Sequence, residues 1–134
     1  MSRGTIYKVE RYTRFEIRAR PAWLYVFGDN MKRRGMGGQA KEARGEVNAV
    51  GIPTKWAPGT CAQDYFTDGD LYAVRDALDL SFEKLEAHLA MGGCVVWPAD
   101  GIGTGLAELP TRAPKIHAYI KERLRRLENP HEQH

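Results

Sequence analysis

Trp23-Leu24-Tyr25-Val26-Phe27-Gly28-Asp29-Asn30 is the stretch on which the fold turns. Five consecutive large apolar side chains leave no polar face. A strand built from them has to be covered on both sides, as inner strands of α/β sheets are. Pro21 precedes the run, and Gly28-Asp29-Asn30 ends it as a turn. Two later runs have the same character. Ala49-Val50-Gly51-Ile52-Pro53 is expected to stop at Pro53, and Cys94-Val95-Val96-Trp97 to stop at Pro98. Residues 6–9 and 15–19 are short alternating stretches and read as strands.

Helical patterns fill the gaps. Residues 39–44 form a short helix entered from glycines and left at Gly45. Between residues 70 and 90, Leu71, Val74, Leu78, Phe82, Leu85 and Leu89 recur every three or four positions, which is one helical face. Asp79 or Ser81 can cap a fresh start, so this is one helix or two, closed by Gly92-Gly93. The last helix is expected over 113–127, with Pro114 in its first turn and Ile116, Ile120, Leu124 and Leu127 as its buried stripe. Strands alternating with helices imply α/β layers in a single domain of residues 1–134. Its core spans about 5–127, with frayed ends at 1–4 and 129–134.

The totals agree with this. The chain has 134 residues, 43% of them hydrophobic and 28% charged, enough to bury a core and unlike a disordered chain. A net charge of +3 suits an anionic small ligand without demanding nucleic acid. The basic residues of the last helix, among them Lys115, Lys121, Arg123, Arg125 and Arg126, read first as a solvated face and second as a nucleic-acid contact. Cys61 and Cys94 belong to no CxxC and no zinc spacing, so neither metal nor cofactor is expected. The apolar runs are too short to cross a bilayer and the N-terminus has no apolar leader. A cytoplasmic protein without a membrane partner is therefore expected.

Glycine is concentrated in two loops. Gly35-Met36-Gly37-Gly38-Gln39-Ala40 follows the first inner strand and opens a helix. Asp100-Gly101-Ile102-Gly103-Thr104-Gly105-Leu106-Ala107 follows the third and precedes the last helix. Without Cβ atoms such loops let backbone N–H groups close on a phosphate. In an open α/β sheet both lie at the carboxyl edge, where ligands bind. No GxxxxGK[ST] is present, which excludes a P-loop. Gly35 to Ala40 satisfies GxGxxA, but seven residues separate it from its strand and Lys55 stands where an acid would be required, which argues against a dinucleotide oxidoreductase.

At these residues the chain resembles the macro domains. Val26-Phe27-Gly28-Asp29-Asn30 followed by Gly35-Met36-Gly37-Gly38-Gln39-Ala40 is similar to their first strand, Asn turn and glycine loop. Trp97-Pro98-Ala99-Asp100-Gly101-Ile102-Gly103-Thr104-Gly105-Leu106 is similar to their second loop, which wraps a diphosphate. The likeness runs from about residue 23 to 127. It implies a three-layer α/β/α fold with a central mixed sheet, and binding of ADP-ribose or a related nucleotide. Hydrolysis of an ADP-ribosyl bond on protein or DNA is the activity that goes with it in many members. A non-catalytic binder of a nucleotide signal, or a nucleic-acid-associated protein, are the alternatives. Within the family the chain resembles the terminal-ADP-ribose glycohydrolase branch, through Ile52-Pro53-Thr54-Lys55, and small phage-type macro-like proteins, through Gly28-Asp29-Asn30 and Gly51-Ile52-Pro53-Thr54-Lys55. That branch's lysine matches Lys55. Its loop aspartate matches Ala107, with Glu108 one residue late.

The candidate chemistry follows. Lys55 has three roles open to it: amine nucleophile at a ribose carbon, point charge on phosphate, or ordinary surface lysine. Asn30 would bond ribose hydroxyls and orient a water, as the matching Asn does in macro domains, or simply make a turn. Asp29 is a general base, or pairs with Arg33 or Arg34. The ligand-binding candidates are Gly28, Asn30, Gly35, Gly37, Gly38, Gln39, Pro53, Thr54, Asp100, Gly101, Ile102, Gly103, Thr104, Gly105 and Leu106. Asp100 is also expected to accept bonds from its own loop's amides. Glu108 either replaces the acid missing at Ala107 or accepts N–H bonds before the last helix. His88 and His117 read as structural or exposed. Trp56 and Tyr65 read equally as covers for a base or as packing.

Overall fold

The computed structural model describes residues 2–132. Four strands, β1 (Ile6–Val9), β2 (Leu24–Asn30), β3 (Ala49–Lys55) and β4 (Val95–Pro98), form one sheet in the order β1-β4-β2-β3. All three pairings are parallel. The expected mixed sheet is therefore corrected: among the described residues, antiparallel pairing is confined to an isolated bridge from Lys55 to Tyr65. The reason lies in the connections. β1, β2 and β3 are each followed by a helical crossover, α1 (Arg14–Ala19), α2 (Ala40–Ala43) and α3 (Leu71–Ala90), which returns the chain to the sheet in the same direction.

The apolar run of β2 divides by alternation. Tyr25 and Phe27 pack with Tyr12, Ile17, Ala40, Ala43 and Val96 on one face. Val26 packs with Ile52, Leu78, Phe82, Leu85, Val95 and Trp97 on the other. The period of two sends neighbouring side chains into separate cores, one under α1 and α2, the other under α3 and α5 (Pro114–Glu128). The result is a mixed α/β protein with helices on both faces of a parallel sheet.

Several local expectations change. Residues 15–19 lie in α1 rather than in a strand. Thr13 and Glu16 form a capping box, with Glu16 N–H donating to Thr13 Oγ1 at 3.2 Å and Thr13 N–H to Glu16 Oε1 at 3.1 Å. That spacing, Thr-x-x-Glu, was the available signal. Thr13→Ala is expected to lower stability by about 1 kcal/mol. A urea midpoint unchanged from the parent would show that the cap is solvent-compensated.

β3 runs through Pro53 to Lys55, because it is an edge strand and the missing N–H costs no ladder bond there. α3 is one helix. Asp79 takes Tyr119 and Arg123 of α5 instead of capping, and the Ser81 hydroxyl donates to the Gly51 carbonyl at 3.2 Å. The last helix begins at Pro114, and a separate turn, α4 (Leu109–Arg112), precedes it, anchored by fully buried Leu109. Nor are the ends loose throughout. Arg3 pairs with Glu86 and donates to the Leu127 carbonyl at 3.0 Å, Gly4 N–H donates to Leu89, and residues Pro130–Glu132 form a 3-10 turn. The remainder of that expectation, at Met1, Gln133 and His134, lies outside the described residues.

Candidate functional site

Because the strands are parallel, the carboxyl ends of β2, β3 and β4 open on one edge, and both glycine loops leave from it. They enclose a cleft of about 210 Å³. The cleft brings together Gly28, Asp29 and Asn30 from β2, Thr54 and Lys55 from β3, Gly35, Gly37, Gly38 and Gln39 from the first loop, and Gly101, Ile102, Gly103, Gly105 and Leu106 from the second. Pro53, Asp100 and Thr104 do not line it. Pro53 lies in the ladder opposite Asp29, and the Thr104 hydroxyl donates back to the Asp100 carbonyl at 2.7 Å. The Asp100 carboxylate is exposed and makes no bond to its own loop, so the expected role there is corrected. Arg34, Arg44, Pro58 and Ala107 also line the cleft; of these, Arg44 and Pro58 were not singled out from sequence. For Arg44 the signal was its position near the first glycine loop.

Polar groups in the cleft fall into two kinds. Some are held by the protein itself. Asp29, with a side chain 3% exposed, accepts from Arg44 and from Arg33 at 3.2 Å, and its Oδ1 also accepts from Asn30 N–H at 2.8 Å. Gly51 makes room for this carboxylate, since a Cβ there would stand 2.6 Å from Asp29 Oδ2. Arg44 also donates to the carbonyls of Gly35 and Arg34, tying the first loop to β2. Asn30 closes a turn, accepting from Lys32 N–H at 3.0 Å and donating to the Arg34 carbonyl at 2.7 Å. Gln39 brackets the Tyr12 backbone, donating to its carbonyl at 2.7 Å. Thr54 donates to the Asp29 carbonyl at 2.9 Å. Tyr12 itself is buried and donates its hydroxyl to Val26; burial pushes its phenol pKa far above the ordinary value.

Other groups keep hydrogen-bonding capacity that the described residues do not use. Lys55 is 8% exposed. Its ammonium donates to the Gly59 carbonyl at 2.6 Å and lies 4.3 Å from the centre of the Tyr65 ring, with no carboxylate within 4 Å among the described residues. Arg34 makes no ion pair through its side chain among the described residues. The charged side chains lining the cleft are Arg34, Arg44, Lys55 and Asp29, three cations against one anion, a net +2. The loop backbones add donors. Among the described residues, the N–H groups of residues 34–39 and 102–107 have no intramolecular acceptor. Runs of unpaired amides around a concavity are an anion-binding arrangement.

Residues flanking the cleft have other duties. Glu108 pairs with Arg112 at 3.0 Å, and Arg112 lies over the Tyr65 ring at 3.7 Å. Trp56 donates to Asp70 and meets Phe66 edge-on, a packing role. On α5, Arg123 pairs with Asp79 and Arg125 with Glu122, so two of the helix's five Lys and Arg side chains are answered within the protein. No group of three or more His, Cys, Asp or Glu among the described residues could hold a metal. No helix among them is long and apolar enough to cross a membrane.

Residues 7–123 fit the model of a family of unknown function, DUF7831, and the chain belongs to that family. No curated protein and no solved structure matches.

Proposed function

We propose that this member of the DUF7831 family binds ADP-ribose or a closely related nucleotide in the cleft between its two glycine loops. One observation carries the reading: a cleft of net charge +2 is bordered on both sides by loop amides that have no acceptor of their own. A diphosphate brings two negative charges and several acceptor oxygens, which is the complement of that arrangement. The cleft is smaller than the roughly 300–1,000 Å³ of pockets that swallow a whole ligand. It suits the diphosphate and one ribose, with the remainder at the mouth. The order of strand, Asn turn, glycine loop and helix, then Pro-ended strand and second glycine loop, supports a macro-like relationship. It also supports ADP-ribose over other diphosphates. A cytoplasmic location belongs to the same proposal.

Binding without turnover is the better-supported form. Lys55 is committed to the Gly59 carbonyl and the Tyr65 face, Ala107 lines the cleft where an acid would be needed, and Glu108 is held by Arg112. Lys55 then acts as a phosphate contact, Asn30 as a turn residue at the ribose end, and Asp29 as the anchor of two arginines. Hydrolysis of an ADP-ribosyl bond on protein or DNA is the second reading. It rests on Asn30 and Lys55 lining one cleft, with Asn30 orienting the water.

Titration calorimetry tests both. ADP-ribose is expected to bind more tightly than AMP. Lys55→Ala is expected to cost about 1–3 kcal/mol of binding, as charge-assisted hydrogen bonds do. A Cβ at Gly105 would meet nothing within 4 Å, so Gly105→Val is expected to fold normally and to bind weakly. Absence of any heat with millimolar ADP-ribose would end the proposal. Release of free ADP-ribose from a labelled protein or DNA, lost on Asn30→Ala, would favour the hydrolase.

A further inference from the structure

The two glycine loops touch across the mouth of the cleft. Leu106, on the second loop, lines the cleft and is 67% exposed. Its side chain reaches the first loop: a Cβ added at Gly37 would stand 2.9 Å from Leu106 Cδ1, and one added at Gly38 4.0 Å from it. The first loop also meets Pro58, whose Cβ would stand 2.9 Å from a Cβ added at Gly35. The two contacts differ in what can move. Pro58 is a rigid ring, and the Lys55 ammonium holds the carbonyl of its neighbour Gly59 at 2.6 Å. Leu106 is a flexible side chain with water on its outer side. Each loop is anchored on either side of this contact. Arg44 donates to the Gly35 carbonyl and Ala40 N–H to the Gly37 carbonyl in the first; Gly101 N–H donates to Pro98 and Leu109 N–H to Gly103 in the second.

We propose that Leu106 is the gate of this cleft, seated on Gly37 and swinging aside to admit a diphosphate. The proposal rests on the nucleotide reading given above. With Leu106 on Gly37, a side chain crosses from one loop to the other over a cleft of about 210 Å³ whose rims carry the unpaired amides. A diphosphate reaches those amides once the side chain lifts, and the side chain then returns over the bound phosphates and limits their escape. Gly37 is the observation that carries this furthest. Its φ lies outside the left-handed region, so its backbone does not demand glycine. Within 4 Å an added Cβ would meet Leu106 Cδ1 and no other atom beyond its chain neighbours. What the missing Cβ supplies in the free protein is therefore the seat for Leu106. A leucine that stays two-thirds exposed gains little from that seat, so opening costs little and the gate keeps pace with binding.

NMR of the intact chain reads the free state and the rates together, with ADP-ribose and inorganic pyrophosphate as probes. Pyrophosphate is included because the gate covers the diphosphate whatever is attached to it. Without ligand, a nuclear Overhauser contact between the Leu106 methyls and the Gly37 α-protons is expected. From the line shapes, Leu106→Ala is expected to speed association about threefold and dissociation about tenfold, because a gate slows both directions. A side chain that only touched bound ligand would alter dissociation alone. Gly37→Ala displaces Leu106 and is expected to speed both rates in the parent, yet to change neither in Leu106→Ala, the non-additivity of a shared contact. Absence of the Overhauser contact, an unchanged association rate in Leu106→Ala, or equal effects of Gly37→Ala in the two backgrounds would each overturn the gate and leave ADP-ribose binding standing. Faster exchange of pyrophosphate in Leu106→Ala, with no binding of ADP-ribose, would uphold the gate and end the nucleotide reading. Binding of neither probe would end both.

Discussion

Asp29→Ala is expected to lower the unfolding free energy by about 3 kcal/mol, because it leaves charged partners of a buried carboxylate without an anion. The Asp29 side chain is 3% exposed, and that of Arg44 is 18% exposed. Water can reach Arg33, whose side chain is 46% exposed, but it reaches Arg44 poorly. The loss should not stay local. Arg44 also holds the carbonyls of Arg34 and Gly35, so freeing it loosens the first glycine loop and weakens any ligand that the loop grips. Urea unfolding of the two proteins measures the first effect. A change below about 1 kcal/mol would mean that Arg44 is resolvated and that the pair contributes as little as an exposed one. Asp29→Asn, which keeps the shape and one acceptor, should fall between the two.

Gly103→Ala is expected to cost a similar amount, about 3 kcal/mol, for a different reason. Gly103 has φ +80°, where a side chain is strained by roughly 1–2 kcal/mol. An added Cβ would also stand 2.7 Å from Leu109 Cγ and 3.2 Å from its Cβ. Leu109 is fully buried and anchors α4, so it cannot yield without disturbing the core, at a further cost of about 1–3 kcal/mol. Gly105→Ala is the control, two residues away on the same loop and with open space around it. If both variants unfold at the same urea concentration, the close approach of Gly103 to Leu109 is not what demands glycine there. The comparison also separates two uses of glycine that look alike in sequence. Gly103 serves the fold, whereas Gly105 is free to serve a ligand.

The layers of the fold were legible in the chain because short-range pattern carries them. The unbroken run at 23–27 announced a strand covered on both faces, and the spacing of Leu71 through Leu89 announced α3. Two runs of glycine placed beyond inner strands marked the loops that border the cleft. Among the misread segments, 15–19 failed because alternation over five residues is also compatible with a helix turn, and the capping box at Thr13 outweighs it. The strand directions were not legible, since alternation reports which face a residue takes and not which way its neighbour runs.

The state of each candidate side chain was decided by folding alone. Sequence placed Asp29, Asn30 and Lys55 beyond strand ends. Whether Asp29 was a base or an anchor depended on Arg44, fifteen positions away, and Arg33 both reaching a carboxylate that the absence of a Cβ at Gly51 accommodates. Whether Lys55 faced solvent, an acid or an aromatic ring depended on Tyr65 and Gly59 folding back over it. Backbone conformation follows from neighbours within a few residues, and sequence shows those. The chemistry of a charged group follows from whatever stands within about 4 Å of it, and in this protein those atoms come from separate strands and loops that only the tertiary structure brings together.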